Sequence, residues 1–365
     1  MKKHYALTVI FILSIFVTVM SCDTDDSNDY TVIPQQPASP VVFDINAVPY
    51  PKLSDYNFFE GEMKNLEPVT RVLPYDLNSS LFTDYALKKR FVWMPDNKKA
   101  TYDSDGSILD FPLGTVLIKN FYYENAGPEE STFIIETRLM IKKESEWVFA
   151  NYRWNAEQTE ALLDPSGGNI TMTWKHNGAS KTIDYRIPSS FECGMCHKLN
   201  NKNTPIGTKP QNLNKSYNYT DGQKNQLDKW KETGYLDNVP GQIATTVNWK
   251  DETLPLELRV RSYLDINCAH CHTEGTYCGY TPMDFAFSQT TNPVNLGLCV
   301  EPSDFVSSGQ EYLLAGGDID NSLIYFRMNT NIQSEMMPLI GRTIKDEEAI
   351  QLMKDYINSL ESTCP

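Results

Sequence analysis

The chain has 365 residues, so its length predicts two or three domains at about 150 residues each. Hydrophobic residues make up 41% and charged residues 22%, a balance that excludes a disordered, collagen-like, coiled-coil or polytopic membrane protein. The formal net charge is −15, and so acidic a surface repels the phosphate backbone of nucleic acids. Composition therefore predicts a folded globular protein that does not bind nucleic acid.

The first residues have the pattern of an export signal. Lys2 and Lys3 precede an apolar run over residues 5–20, which matches the charged and hydrophobic regions of a secretory signal and is short for a membrane-spanning helix. The run leads into Val-Met-Ser-Cys, ending at Cys22, which resembles the lipobox of bacterial lipoproteins. The resemblance implies removal of residues 1–21 and lipidation of Cys22, with an uncleaved anchor helix as the alternative.

The segment 22–43 is acidic and then proline-rich, which predicts an extended linker. We expect an exported protein that is lipid-anchored at the cell envelope, at the outer membrane. The sequence leaves two alternatives, the periplasmic face and the cell surface. Removal of the signal peptide would take away Lys2 and Lys3, which leaves 30 of the 32 basic residues against 47 acidic residues. The mature chain is therefore more acidic still.

Two copies of one cysteine motif carry the chemistry. Four of the eight cysteines form C-x-x-C-H patterns, Cys193 to His197 and Cys268 to His272, the attachment motif of c-type haem. Cysteines three apart on a helical turn share one face, so both sulfurs can bond the vinyl groups of one porphyrin, and the following histidine reaches the iron. The predicted sites are two covalent haem c groups on Cys193, Cys196, Cys268 and Cys271, with His197 and His272 as proximal iron ligands.

Three other uses of C-x-x-C fit less well. Structural zinc favours pairs about 15–20 residues apart, whereas 75 residues separate Cys193 from Cys268. A redox dithiol needs a βαβ frame, and a disulfide within each motif leaves both histidines unexplained. Export also suits covalent haem, since c-type haem is attached after translocation.

Residues 251–365 are predicted to form a second haem domain. Pro255 opens a helix that leads into the second motif, and Thr343 with Asp346 forms a capping box before a C-terminal helix. Met336-Met337-Pro338 lies between them. The order of helix, motif, long loop, Met-Pro and helix resembles class I cytochrome c over residues 254–365. The resemblance implies Met337 as the distal ligand of the second haem, with Met336 as the alternative.

In an oxidising compartment, Cys278 and Cys299 are predicted to form a disulfide that closes the long loop of this domain. Cys364 then has no evident partner.

Residues 188–250 form the predicted first haem region. A short capped turn is expected at Pro188–Ser190, and a helix with Leu227 and Trp230 on one face follows later. No Met-Pro follows at the expected distance. His176 is the first candidate for the distal ligand, and Met195, Met172 and His270 are the next candidates. If no residue binds that position, the open iron would permit peroxidase-like chemistry.

Residues 44–187 are predicted to form a β-domain. Alternating apolar positions predict strands at 90–94, 115–122, 132–142, 147–154, 170–174 and 182–185, with a hairpin turn at Asn177-Gly178. The predicted fold is multidomain: an antiparallel β sandwich or barrel-like domain followed by mainly α-helical cytochrome c-type haem domains.

Four short segments stand out in the β-domain: Leu-Phe-Thr-Asp-Tyr at 81–85, Phe-Pro-Leu-Gly-Thr at 111–115, Glu-Thr-Arg at 136–138 and Tyr-Arg-Trp-Asn at 152–155. Together with the haem motifs and Met337-Pro338, they resemble a family of exported bacterial dihaem c-type cytochromes with an N-terminal β-domain, across residues 44–365.

The resemblance implies an electron carrier rather than an enzyme, which relays single electrons between redox partners with basic docking patches. The alternatives are a haem oxidoreductase with an open first iron, on a small-molecule substrate of unknown identity, and an adhesion or scaffold protein with incidental redox centres.

Overall fold

The structure is a computed structural model that describes residues 37–303, 309–361 and 364–365. The predicted signal peptide, Cys22 and most of the linker lie outside these residues. Pro37–Pro365 forms one compact unit. Its first residues already pack onto the body, since the backbone N–H of Val42 donates to the carbonyl of Tyr56 at 3.0 Å.

An eight-stranded antiparallel sheet dominates the unit. Its strands are β3 Leu73–Tyr75, β4 Leu87–Trp93, β5 Val116–Ala126, β6 Ser131–Lys142, β7 Trp147–Trp154, β8 Ala161–Leu163, β9 Gly168–His176 and β10 Ala179–Ile187. β3 to β8 pair in sequence order, and the β9–β10 hairpin joins the far end of β5, where Ala126 pairs with Trp174.

Shorter elements surround this sheet. Two-stranded sheets pair β1 Phe59–Glu60 with β2 Glu67–Pro68, β11 Lys198–Leu199 with β12 Lys202–Asn203, and β13 Ser216–Tyr219 with β14 Gly222–Asn225. The α-helices are α1 Ser190–Cys196, α2 Pro210–Leu213, α3 Gln226–Glu232, α4 Leu256–Asn267, α5 Leu323–Met328 and α6 Glu347–Ser359, and 3-10 turns lie at Leu53–Tyr56 and Met63–Asn65.

The six predicted strands all form, because the apolar positions of each strand lie on a face that the sheet buries. The predicted turn is also present: Asn177 and Gly178 have φ of 50° and 79°, the left-handed pair that a two-residue hairpin needs. On one face Ile118 and Leu139 pack against the N-terminal segment. On the other face Leu117 packs in a cluster that includes Trp230.

The expectation of mainly α-helical haem domains is wrong. Strand makes up 27% of the structure and helix 17%, and after residue 187 the described chain is largely turns between short helices. The expected sandwich or barrel is also wrong, because strands β3 to β10 form one continuous eight-stranded sheet. The predicted helix before the second motif forms, and the capped turn predicted before the first motif is the start of α1. The helices α1, α2 and α3 have only 4–7 residues, which leaves most of the intervening chain non-helical.

The helices flanking the second motif do form. α4 starts just after Pro255 and ends one residue before Cys268, and it packs against α6 through a core that includes Val260 and Ile357. Asp346, rather than Thr343, caps α6, since its carboxylate accepts from the N–H of Ala349 at 3.2 Å. None of the described helices is long and apolar enough to cross a bilayer.

The predicted Cys278–Cys299 disulfide is also wrong, because Cys299 is bonded to Cys364. The chain after α6 returns to the segment around Cys299, whose N–H donates to the carbonyl of Leu314. Cys278 is held instead at the second motif, where its N–H donates to the carbonyl of Cys271 at 2.8 Å.

We expect non-reducing peptide mapping of the oxidised protein to recover the Cys299 and Cys364 peptides as one linked species. Because the bond joins residues 65 apart, Cys364→Ser should lower the free energy of unfolding by about 4 kcal/mol on the chain-entropy account. The reduced wild-type protein is the control and should match the variant. A linked Cys278–Cys299 peptide pair would contradict the assignment.

Candidate functional site

The first motif is built on the short helix α1. Its N-terminus is closed by a reciprocal cap: the Ser189 hydroxyl accepts from the N–H of Glu192 at 3.3 Å, and the Glu192 carboxylate accepts from the N–H of Ser189 at 2.7 Å. Such a cap satisfies two helix-end donors, which lets so short a helix form. Cys193 and Cys196 are therefore fixed on one helical turn.

The second motif repeats this backbone geometry at the end of α4. The N–H of Cys268 donates to the carbonyl of Leu264 at 2.9 Å. In both motifs the histidine N–H donates to the carbonyl of the first cysteine at 3.0 Å, from His197 to Cys193 and from His272 to Cys268. Each motif is thus one closed turn, as the C-x-x-C-H spacing predicts.

The two motifs meet in the folded chain. One ligand atom each from Cys196, His270 and Cys271 lies within 4.8 Å of the others. A backbone hydrogen bond from Asn200 to Gly275, 2.8 Å long, joins the segments that follow the motifs. Two sites separated by 75 residues in sequence are therefore neighbours.

Both motif histidines are oriented through Nδ1. The ring of His197 donates from Nδ1 to the carbonyl of Thr204 at 3.0 Å. Nδ1 of His272 donates to the Thr281 hydroxyl at 3.1 Å, and that hydroxyl donates onward to the carbonyl of Cys278. Among the described residues neither Nε2 makes a hydrogen bond. A proton fixed on Nδ1 leaves Nε2 as the metal-binding nitrogen, the arrangement typical of histidine ligands.

Electrostatics keep both imidazoles neutral. Burial, followed by the nearby charge of Lys119, lowers the pKa of His197 to about 3. Burial lowers the pKa of His272 to about 4. Only the neutral imidazole can bind a metal, so both rings are in the ligating form at neutral pH.

Side chains of the sheet pack on the first motif. Phe149 of β7 lies edge-on to the His197 ring with the ring centres 5.4 Å apart. The Asn151 amide, two residues on, lies 3.7 Å from the sulfur of Cys193. Phe285 makes the matching contact with His272 at 5.6 Å. Sequence reasoning missed these partners, although two-residue alternation already places Phe149 and Asn151 on one face of a predicted strand.

The structure does not bring His176 to the first motif. Gly167 lies just before β9, and a Cβ atom added to it would come within 2.7 Å of the Pro188 backbone. Because Pro188 lies just before α1, β9 begins beside α1. His176 ends β9, about 26 Å further along at about 3.3 Å per residue, and its ring packs against Tyr85 at 4.5 Å.

Among the other candidate distal residues, His270 lies against the first motif, since its ring nitrogen is within 4.8 Å of the sulfur of Cys196. Its Nδ1 is buried and has no hydrogen-bond partner among the described residues. Met195 lies within the motif itself, and Met172 is buried in a core cluster with Trp174 and Ile183.

The loop that carries Met336 and Met337 is held from two sides. The side chain of Met336 is buried, with 3% exposed, and that of Met337 is partly buried. Arg342 donates from Nε to the carbonyl of Met337 at 3.0 Å and from a terminal nitrogen to that of Thr330 at 2.8 Å. The guanidinium therefore ties the loop to itself.

Asp84, from the segment between β3 and β4, provides the second hold. Its carboxylate accepts from the N–H and hydroxyl of Thr343, at 2.7 and 2.9 Å, and from the N–H of Ile344 at 3.1 Å. This explains why Thr343 does not cap α6. Burial raises the pKa of Asp84 although all three bonds oppose that shift. A residue near the start of the β-domain thus fixes the loop that follows Met337.

Comparisons with protein-family models, with curated proteins and with solved structures found no match. The donors of the site suit two classes of group: a c-type haem at each motif, or a thiophilic metal ion shared by Cys196, His270 and Cys271.

Replacing Asp84 should loosen the held loop. We expect Asp84→Ala to lower the free energy of unfolding by about 3 kcal/mol, because it removes three hydrogen bonds that Thr343 and Ile344 donate to the Asp84 carboxylate, at about 1 kcal/mol each. Asp84→Asn keeps one acceptor oxygen and should cost less than half as much. Urea unfolding measures both, with the exposed Asp103→Ala as control. An Asp84→Ala midpoint equal to that of the control would show that the contact does not stabilise the fold.

Proposed function

We propose that the protein is a dihaem c-type cytochrome that carries single electrons between redox partners at the bacterial cell envelope. The observation that carries the proposal is the pair of neighbouring C-x-x-C-H turns, each with its histidine held through Nδ1 and with Nε2 available. A metal ion bound by Cys196, His270 and Cys271 would use neither of these histidines, and a dithiol requires none.

The residues around the motifs fit haem in three respects. The paired sulfurs of each motif lie on one turn, as attachment to two vinyl groups requires. Phe149 and Phe285 support the two imidazoles. A buried nitrogen with no partner, His270 Nδ1, lies between the motifs. A buried nitrogen without a partner costs free energy unless another group satisfies it, so His270 is a candidate distal ligand of the first haem.

Bound haem would supply a one-electron iron couple. The contribution of the chain is placement. Because Cys196 and Cys271 are neighbours, two haems attached there would lie close together, which would favour electron transfer within the protein over two independent centres.

Anchoring and charge suit an envelope carrier. A lipid on Cys22 and the linker would hold the folded unit near the membrane. The acidic surface would steer partners with basic patches, at rates that fall as salt rises.

The visible spectrum and haem content test this proposal. Protein matured with a haem-attachment system should contain two haems per chain by pyridine haemochrome. Two low-spin irons that do not bind carbon monoxide would identify a carrier, whereas one reduced haem that binds it would favour the alternative, an oxidoreductase with an open first iron. Zinc in place of haem would contradict both and assign Cys196, His270 and Cys271 to a metal site.

Single alanine variants test the distal ligand of the second haem. We expect Met337→Ala to turn that haem high-spin or to lower its reduction potential, because methionine raises the potential relative to a second histidine. Met336→Ala is the matched control and should leave the spectrum unchanged. The reverse result would assign the role to Met336. Two unchanged spectra would contradict a ligand from this loop.

A further inference from the structure

A row of cations crosses the sheet beside the first motif. Arg90 of β4, Lys119 of β5 and Arg138 of β6 are directly opposite one another in the strand register. Asn151 of β7 continues the row. Directly paired residues point to the same face of a sheet. These four side chains, which we name the cationic row, therefore share the face on which the first motif lies.

The central lysine of the row lacks a counter-charge. Arg90 donates to the Asp76 carboxylate at 2.8 Å, and Arg138 donates to both oxygens of Glu136. Lys119 makes no hydrogen bond or ion pair with the residues that the structure describes. Like charges directly opposite each other destabilise a sheet, and this lysine has an arginine on either side.

Nearby acids do not compensate for this. Glu136 is fully buried and is already used by Arg138 and by the hydroxyl of Tyr185, which donates to it at 2.9 Å. The ammonium of Lys119 lies 5.0 Å from the centre of the Phe121 ring, and Arg138 lies 4.1 Å from the same centre. Burial and the two flanking arginines lower the pKa of Lys119 well below its usual value. An anion bound here would reverse both penalties.

The row is placed correctly for the first haem. At its Asn151 end it touches Cys193, one of the two attachment sulfurs. With about 4.8 Å between strands, Lys119 lies about 10 Å across the sheet from Asn151. The two propionates of haem lie on the edge of the macrocycle opposite the vinyl groups. A haem bonded at Cys193 and lying along this face would direct its carboxylates toward Lys119 and Arg90.

We propose that the cationic row is the propionate site of the first haem, with Lys119 as the residue that binds a carboxylate directly. The inference rests on the proposed function. It assigns to the β-domain a binding role toward the first haem. A lysine acts there as a point charge, and the flanking arginines contribute planar donors.

Charge removal at Lys119 tests the inference. Lys119→Met should lower the reduction potential of one haem, because a lost positive charge favours the ferric state. One charge at about 10 Å and an effective dielectric near 20 corresponds to on the order of tenfold in the reduction equilibrium, which is about 59 mV for one electron. Lys119→Arg should keep the wild-type potential. Lys175→Met removes a half-exposed lysine on β9 and should change neither potential.

The outcomes separate this inference from the function on which it rests. A wild-type protein without haem overturns both. Two haems in Lys119→Met with both potentials equal to those of Lys175→Met overturn the inference alone. Should Lys119→Met fail to fold, Lys119→Gln is the second variant. Loss of one haem in Lys119→Gln with two retained in Lys119→Arg supports the inference, because it shows that binding requires the charge.

Discussion

The contact of Cys196 with His270 and Cys271 is the constraint on which the site depends. It joins a motif carried by a seven-residue helix to one carried by a twelve-residue helix. Neither segment could hold this position alone, since α1 is too short to be stable in isolation. Its cap at Ser189 and its packing on the sheet fix it from one side, and the second motif fixes it from the other.

The sheet does more than support the fold. Through Asn151 and Phe149 it forms the surface beneath the first motif, and through Asp84 it binds the loop that follows Met337. The second motif has a core of its own, because α4 packs against α6 through residues of the C-terminal part of the chain.

Sequence reasoning reached the local features and missed the long-range ones. C-x-x-C-H spacing predicted both turns, and alternation predicted six strands, because each depends on neighbours in sequence. The Cys299–Cys364 bond and the meeting of the motifs depend on the path of the whole chain, which spacing does not encode. The assignment of His176 failed geometrically for the same reason.

One signal in the sequence was available and unused. Arg90, Lys119 and Arg138 interrupt apolar strands at positions that face inward, and a charge at a buried strand position calls for a partner. Their alignment across three strands became visible only with the register. The segment Glu-Thr-Arg at 136–138 has a physical explanation in the folded chain: Arg138 belongs to the cationic row, and Glu136 is its buried carboxylate partner.

The most direct test of the proposed function is the mass of each motif peptide from protein matured with a haem-attachment system. We expect one covalent haem on the peptide containing Cys193 and Cys196, and one on the peptide containing Cys268 and Cys271. Unmodified cysteines in both peptides, with zinc or no metal in the intact protein, would contradict it.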